Sequence, residues 1–232
     1  MSDRTRLVEL IRERIIEEDT VMIHGTSVES GLTLLDTGKL TLAPYSHTCE
    51  IHPGYLFFVV NPARFKDNDF YKKHSDDFQN AWHDCLDLRH FYATAIGQTQ
   101  YIAHQIGQFD GILYDLTPLN PQETLSLENL PDFIREGFVQ WVNSVRPGEF
   151  DIDRLESLLM QASKRRGILL SLNEGILEHE IEMDDEDYAV KIYLPNGLDG
   201  RYINGIVPQG DVEAKILQDR KIGSMSQAPS QK

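Results

Sequence analysis

Cysteine, basic residues and long apolar runs are all scarce in this chain of 232 residues. The two cysteines, Cys49 and Cys85, are too few for a disulfide scaffold, and they form no C-x-x-C pair that would indicate a metal or redox motif. A reducing, cytoplasmic setting is therefore expected. No apolar run is long enough to cross a bilayer and the charged N-terminus has no signal-peptide core, so no membrane contact is expected.

Basic residues number 22 against 37 acidic ones, which gives a net charge of −15. A balance of this sign argues against a broad electrostatic grip on nucleic acid. Hydrophobic content of 41% and charged content of 25% are ordinary for a globular protein. We expect a single domain over residues 1–219 with a helical segment at 63–107, followed by a polar, disordered tail at 220–232.

Apolar residues recur with two different periods along the chain. Residues 2–19 have apolar side chains at helical spacing, which predicts one helix. The C-terminal part holds four apolar or alternating runs that are separated by turn sequences and begin at Gly167, Ile176, Tyr188 and Arg201. Such runs predict antiparallel strands joined by turns. The expected fold class is therefore α+β.

The most informative stretch runs from Val21 to Phe65. A short apolar run leads into His24-Gly25-Thr26, a helix with a glycine stop is predicted over 28–35, and a second apolar run covers 55–60. Glycine in such an elbow lets the backbone approach a ligand, and a hydroxyl from Thr26 or Ser27 can cap the helix. This order of strand, polar elbow, helix and strand is typical of a small-molecule site.

Two motifs in this stretch carry a resemblance. His24-Gly25-Thr26, the Leu-Leu-x-x-Gly-x-Leu helix ending and Gly54-Tyr55-x-Phe57 together resemble the first two motifs of the His-Tyr-Glu group of ADP-ribosyltransferases. The resemblance covers residues 21–65 and implies split antiparallel β-sheets with flanking helices. It also implies NAD as a co-substrate, with His24, Gly25 and Thr26 holding it and Tyr55 stacked on nicotinamide. Tyr71, in the next predicted helix, is expected to supply a second aromatic ring.

The same resemblance implies a catalytic glutamate at the start of a late strand. The acidic run Asp184-Asp185-Glu186-Asp187 directly precedes an apolar run, so Glu186 or Asp187 is expected to be this acid. Taken alone, an acidic run is typical of a solvated turn. Alternatives for the acid, including one glutamine at a place where related sequences can carry an acid, stay open: Glu174, Glu178, Glu213 and Gln209.

The function that the resemblance implies is NAD-dependent mono-ADP-ribosyl transfer, in which the nicotinamide–ribose bond is cleaved and ADP-ribose passes to a macromolecular acceptor. A fixed carboxylate stabilises the positive sugar of the transition state, and neutral nicotinamide needs no proton to leave. No metal is required. The acidic balance favours a protein or small-molecule acceptor over nucleic acid. A toxin or effector acting in a host cytosol is compatible with this chemistry.

Two other interpretations compete with the transferase. The fold could be a catalytically inactive module that binds NAD or ADP-ribose. Alternatively, His83, Asp87 and His90 fall at positions i, i+4 and i+7, which places two imidazoles and a carboxylate on one helical face. Such a trio could hold a divalent metal for a hydrolase, although a solvated helix face explains the same spacing.

Overall fold

The computed structural model describes residues 3–41, 54–65, 69–87, 166–184 and 189–226, and its elements are numbered here within those ranges. The α-helices are α1 (Asp3–Glu9), α2 (Val28–Thr37), α3 (Asp69–Lys73), α4 (Ser75–Asp87) and α5 (Asp211–Ser226). The strands are β1 (Met22–Thr26), β2 (Lys39–Leu40), β3 (Tyr55–Val60), β4 (Ile168–Leu172), β5 (Ile181–Asp184), β6 (Ala189–Tyr193), β7 (Leu198–Asp199) and β8 (Ile203–Pro208).

Six of these strands form one sheet in the order β5-β6-β3-β1-β4-β8. Every neighbouring pair in this sheet is antiparallel. Strands β2 and β7 form a separate antiparallel pair. The mixture of helices with antiparallel strands confirms the α+β class expected from the sequence.

The two faces of the sheet are covered differently. One face, here called the core face, meets α1, α2 and α5 through buried side chains that include Leu7, Leu34, Leu35, Phe58, Leu170 and Leu217. On the opposite face, here called the second face, Ile23 and Val59 pack with Trp82 of α4. Farther along the second face, Leu169 and Val207 pack with Ile15. Because side chains alternate along each strand, neighbouring residues belong to different faces.

The connection from β1 into α2 agrees with the sequence. The Ser27 hydroxyl accepts a hydrogen bond from the backbone N–H of Ser30 at 3.1 Å, which caps the start of the helix. Gly38 ends the helix with a left-handed φ of 75°, and its N–H donates to the carbonyl of Leu34. The predicted helix is therefore confirmed, and it extends two residues beyond the predicted end.

The prediction of one helix over residues 2–19 is wrong beyond Glu9. Residues after α1 run beside β8, where Arg12 N–H donates to the Ile206 carbonyl at 3.0 Å and Ile206 N–H donates to the Leu10 carbonyl at 2.9 Å. The edge of β8 presents backbone groups that need partners, so pairing with this edge outweighs the helical period of the sequence.

Two further predictions need correction. The run from Ile176 begins as a 3-10 helix, Glu174–Glu178, because the Asn173 side chain accepts the Gly175 N–H and caps it; the strand begins only at Ile181. The tail expected over 220–232 is helical as far as Ser226. An ion pair between Arg220 and Asp36 holds this part of α5 against α2.

Helices α3 and α4 lie within the helical segment predicted at 63–107. Residues 88–107 of that segment and residues 227–232 of the predicted tail lie outside the described residues. In the described ranges, no helix combines the length and the hydropathy needed to span a membrane.

We predict opposite stability effects for the same substitution in two helices. An added Cβ at Gly31 would lie 2.4 Å from Cδ1 of the buried Ile168, so Gly31→Ala is expected to lower the free energy of unfolding by about 1–3 kcal/mol. Gly223 in α5 has nothing within 4 Å of an added Cβ, so Gly223→Ala should raise it by up to about 1 kcal/mol. Urea unfolding measures both, and equal shifts of the same sign would contradict the described packing.

Candidate functional site

Strands β1 and β3 separate at the position where the sequence predicts a site. In the described structure, their ladder contains only the pairs Met22–Val60 and Ile23–Val59. Strand β1 nevertheless stays paired with β4 as far as Thr26, and β3 stays paired with β6 back to Tyr55. The six-stranded sheet therefore opens between residues 24–26 of β1 and the facing part of β3, where the register places residues 56–58 opposite them and Tyr55 next in line. We call this opening the notch.

His24 is the first residue of β1 beyond the short ladder. Its Nδ1 lies 2.8 Å from the carbonyl oxygen of Phe57, across the notch. Because a carbonyl oxygen can only accept, Nδ1 carries the proton and donates it, and Nε2 of the neutral ring bears the acceptor lone pair. The imidazole lies against the Phe58 ring, with the centroids 5.5 Å apart. A side-chain hydrogen bond thus joins the two strands where their backbones no longer pair.

Burial keeps this imidazole neutral. His24 is only 7% exposed, and removal from water lowers its pKa below the ordinary value, while the hydrogen bond to Phe57 opposes that shift. Desolvation is the larger of the two effects. A neutral ring with a fixed tautomer is a directed hydrogen-bond acceptor at physiological pH.

Gly25 and Thr26 follow on the same strand and are both buried. On one side, Gly25 pairs with Leu169 of β4 and Thr26 pairs with Ile168. On the other side, the edge of the strand at Gly25 faces the notch, beyond the two pairs of the β1–β3 ladder. The strand therefore presents this edge to the notch with no side chain at Gly25.

Tyr55 lies on the opposite margin of the notch, at the start of β3. Its hydroxyl donates to Oε1 of Glu182 at 2.6 Å, and this hydrogen bond raises the pKa of the phenol. The ring lies 5.2 Å from that of Tyr193, and the Lys191 ammonium is 5.5 Å from its centroid. Lys191 also lies 3.7 Å from Oε2 of Glu182. Tyrosine, glutamate and lysine therefore form one connected group across β3, β5 and β6.

Two of the predicted NAD-binding residues, His24 and Tyr55, project from different faces of the sheet. His24 lies against Phe58, which belongs to the core face. Strand alternation places Tyr55 on the second face, together with Lys191 and Glu182. His24 and Tyr55 thus lie on opposite margins of the notch, and their side chains leave the strands in opposite directions.

The predicted catalytic acids, Glu186 and Asp187, lie outside the described residues, so this assignment stays a prediction. The alternatives have other contacts. Glu174 pairs with Arg64, and Glu178 accepts hydrogen bonds from Arg201 and Tyr202, which lower its pKa. Glu213 is fully buried and accepts the Arg166 N–H at 3.1 Å, while Gln209 donates to the Val207 carbonyl at 3.2 Å.

Sequence analysis did not single out Glu182, the acid that the structure brings to Tyr55. The relevant signal was the alternation of Ile181, Glu182 and Met183, which predicts that Glu182 leaves its strand on the side opposite its neighbours. Its partner could not be read from that pattern, because the contact depends on the register of β5 with β6 and of β6 with β3.

Tyr71, the proposed second aromatic, takes a position in the core. It is 4% exposed in α3 and its ring lies 5.4 Å from that of Phe78. This burial is the structural role that a tyrosine in an amphipathic helix most often has. We therefore leave Tyr71 out of the proposed site.

The metal alternative receives no support from the described residues. His83 is exposed on α4 and Asp87 is the last residue of that helix, whereas His90 lies outside the described ranges. Among the described histidine, cysteine, aspartate and glutamate residues, no group of three is placed to hold a metal ion.

Comparisons of this chain with protein-family models, with curated proteins and with solved structures find no match. The geometry of the notch is therefore the basis on which a function is inferred.

We predict that His24 makes folding depend on pH. Because its folded pKa lies below the ordinary value of 6.5, the unfolded chain binds the proton more readily, so this contribution to stability is full above pH 6.5 and is lost as the pH falls toward the folded pKa. His24→Asn retains a donor for Phe57 without a titratable ring. The native chain should therefore lose stability relative to this variant on acidification, by at most about 1.4 kcal/mol per pH unit.

Urea unfolding between pH 8 and pH 5 measures this difference. The matched control is His83→Asn, the same substitution at an exposed histidine of α4, and the effect of His24→Asn is measured relative to it. An unfolding profile of His24→Asn that runs parallel to the native one over the whole range would contradict the buried neutral imidazole.

Proposed function

We propose that this chain is an NAD-dependent mono-ADP-ribosyltransferase whose site is the notch. The observation that carries the proposal is the separation of β1 from β3 at His24, with Nδ1 of His24 bound to the Phe57 carbonyl. This arrangement supports the expectation raised by the His-Gly-Thr and Gly-Tyr-x-Phe motifs, because both motifs border one opening in the sheet. The corresponding fold would be a split-sheet domain of the ADP-ribosyltransferase type.

His24 would position a ribose of NAD. With the proton fixed on Nδ1, the Nε2 lone pair can accept a hydrogen bond from a ribose hydroxyl. Burial supports this role, because an acceptor in a water-poor site is electrostatically stronger than one in solvent. The hydrogen bond to Phe57 holds the ring, so little ordering is left to occur on binding.

The Gly25 edge would hold the nicotinamide carboxamide. A primary amide offers a donor and an acceptor, which are the two groups that a neighbouring strand would otherwise present. Because the β1–β3 ladder ends at Ile23, an amide in the notch can continue the hydrogen bonding at Gly25. A side chain at position 25 would restrict this approach.

The acid of the reaction would come from the Tyr55 margin. As the nicotinamide–ribose bond breaks, positive charge develops on the sugar, and neutral nicotinamide departs with the bonding electrons. A fixed carboxylate stabilises that charge, and Glu182 joins Glu186 and Asp187 as a candidate because it accepts a hydrogen bond from Tyr55, which borders the notch. The acceptor would then attack the sugar and release its proton to water or base. The net negative charge favours a protein or small-molecule acceptor over nucleic acid, and a toxin or effector is compatible with it.

One observation favours a second function, a module that binds NAD or ADP-ribose without cleaving it. Both carboxylate oxygens of Glu182 have partners, Oε1 with the Tyr55 hydroxyl and Oε2 with Lys191 at 3.7 Å. The lysine offsets part of the negative charge that would stabilise a positive sugar. If neither Glu186 nor Asp187 supplies a carboxylate to the notch, binding without nicotinamide release is the expected behaviour.

We predict that purified protein releases nicotinamide from NAD when a cell lysate supplies acceptors. His24→Ala and the variant of the true acid should each lower kcat about 10²–10³-fold, since each removes one electrostatic contact of the transition state. Chromatography of free nicotinamide measures the rate of each variant. The acid is identified by whether Glu182→Gln or the double variant Glu186→Gln with Asp187→Asn loses this rate.

The matched control is Glu180→Gln, a neighbouring exposed acid that precedes β5. It should keep the native rate. NAD binding without nicotinamide release would favour the binding module, and failure of the native chain to bind NAD at all would overturn both functions.

A further inference from the structure

A groove of about 370 Å³ opens where the N-terminal segment parts from β8. Beside β8, that segment forms two hydrogen bonds of a parallel ladder with Ile206, to which Leu10 contributes its carbonyl and Arg12 its N–H. The next bond of such a ladder would come from the N–H of residue 208, and Pro208 has none. The ladder therefore ends, and the groove lies beyond its end, between residues 13–15 and the start of α5.

Hydrogen-bond acceptors are prominent on the lining of this groove. Alternate residues of a strand turn their backbone groups to the same edge, so the Pro208 carbonyl points the same way as that of Ile206, away from β4. Gln209 is only 9% exposed and its Nε2 donates to the Val207 carbonyl, while its Oε1 accepts no hydrogen bond from any described residue. Because a largely buried acceptor without a donor costs free energy, a ligand that supplies a donor is favoured here.

The charges of the groove also favour a cation that carries donors. Glu13 and Asp211 are exposed carboxylates on opposite walls, and Arg14 is the one guanidinium of the lining. Two carboxylates against one guanidinium leave the lining negative. The N–H groups at the start of α5 favour an anion, but Glu213, which is fully buried in the first turn, already supplies a carboxylate there.

The apolar surface that remains open in the groove is aliphatic and small. Leu169 and Val207 are 2% and 4% exposed and pack under Ile15, which leaves little of them for a ring. Ile15, which is partly exposed, and Ala214, which is exposed, offer methyl and methylene groups instead. A flexible alkyl chain can bury its methylenes against such a surface and keep a charged end among the polar groups.

We propose that this groove binds an aliphatic ammonium ion, of the kind carried by a linear polyamine or by a lysine side chain. An ammonium group has three donors and no acceptor, so it suits a lining that offers the Gln209 oxygen, the Pro208 carbonyl and two carboxylates. The methylene chain then lies along Ile15 and Ala214. This site is distinct from the notch, and it does not depend on the proposed transferase activity.

Calorimetry of the full chain with cadaverine, a linear diamine, and with Nα-acetyl-lysine amide tests the site, in about 0.15 M salt to screen the general charge of the protein. Glu13→Gln with Asp211→Asn should weaken the Kd about tenfold, because each exposed ion pair contributes a few-fold. Glu18→Gln with Asp219→Asn removes the same charge from the same two parts of the chain, outside the groove, and should change the Kd less than about twofold. Arg14→Ala removes the opposing cation and should tighten binding about twofold or more.

Ala214→Trp fills the groove without a change of charge and should also weaken binding, whereas Gln218→Trp, at an exposed position of α5 outside the lining, should not. The amine that binds more tightly identifies the source of the ligand, a free polyamine or a lysine side chain. Equal weakening by the groove variants and their controls, or binding of neither amine, would overturn the proposal.

Discussion

The hydrogen bond from Nδ1 of His24 to the carbonyl of Phe57 is the constraint on which the proposed site depends. It spans two strands at the place where their ladder stops after Ile23 and Val59. Because it uses Nδ1, it also fixes the tautomer, and burial keeps the ring neutral. One interaction therefore joins the margins of the notch and leaves Nε2 as the acceptor of the ring.

The opposite margin has a different character. Tyr55, Glu182 and Lys191 form a charged and aromatic group on the second face, whereas His24 belongs with the core face. A ligand that contacts both margins must lie across the opening rather than flat on either face. The long, jointed shape of a dinucleotide suits such a path.

Local sequence rules predicted helix α2, but they failed where contacts between distant parts of the chain determine the structure. Helix α2 could be read from its Ser27 cap and its Gly38 stop, because both act within one turn. Residues 10–12 have a helical period but pair with the edge of β8, a partner almost 200 positions away. The contact between Tyr55 and Glu182 requires the registers of two strand pairs, neither of which follows from composition or periodicity.

Nuclear magnetic resonance of the ¹⁵N-labelled chain with a non-cleavable NAD analogue tests the notch as a ligand site most directly. The account predicts that the analogue shifts the Nε2 resonance of His24 and slows hydrogen exchange of the Gly25 amide, while Nδ1 keeps its proton. Saturating analogue that leaves these resonances and exchange rates unchanged, or that moves only residues remote from β1 and β3, would contradict it.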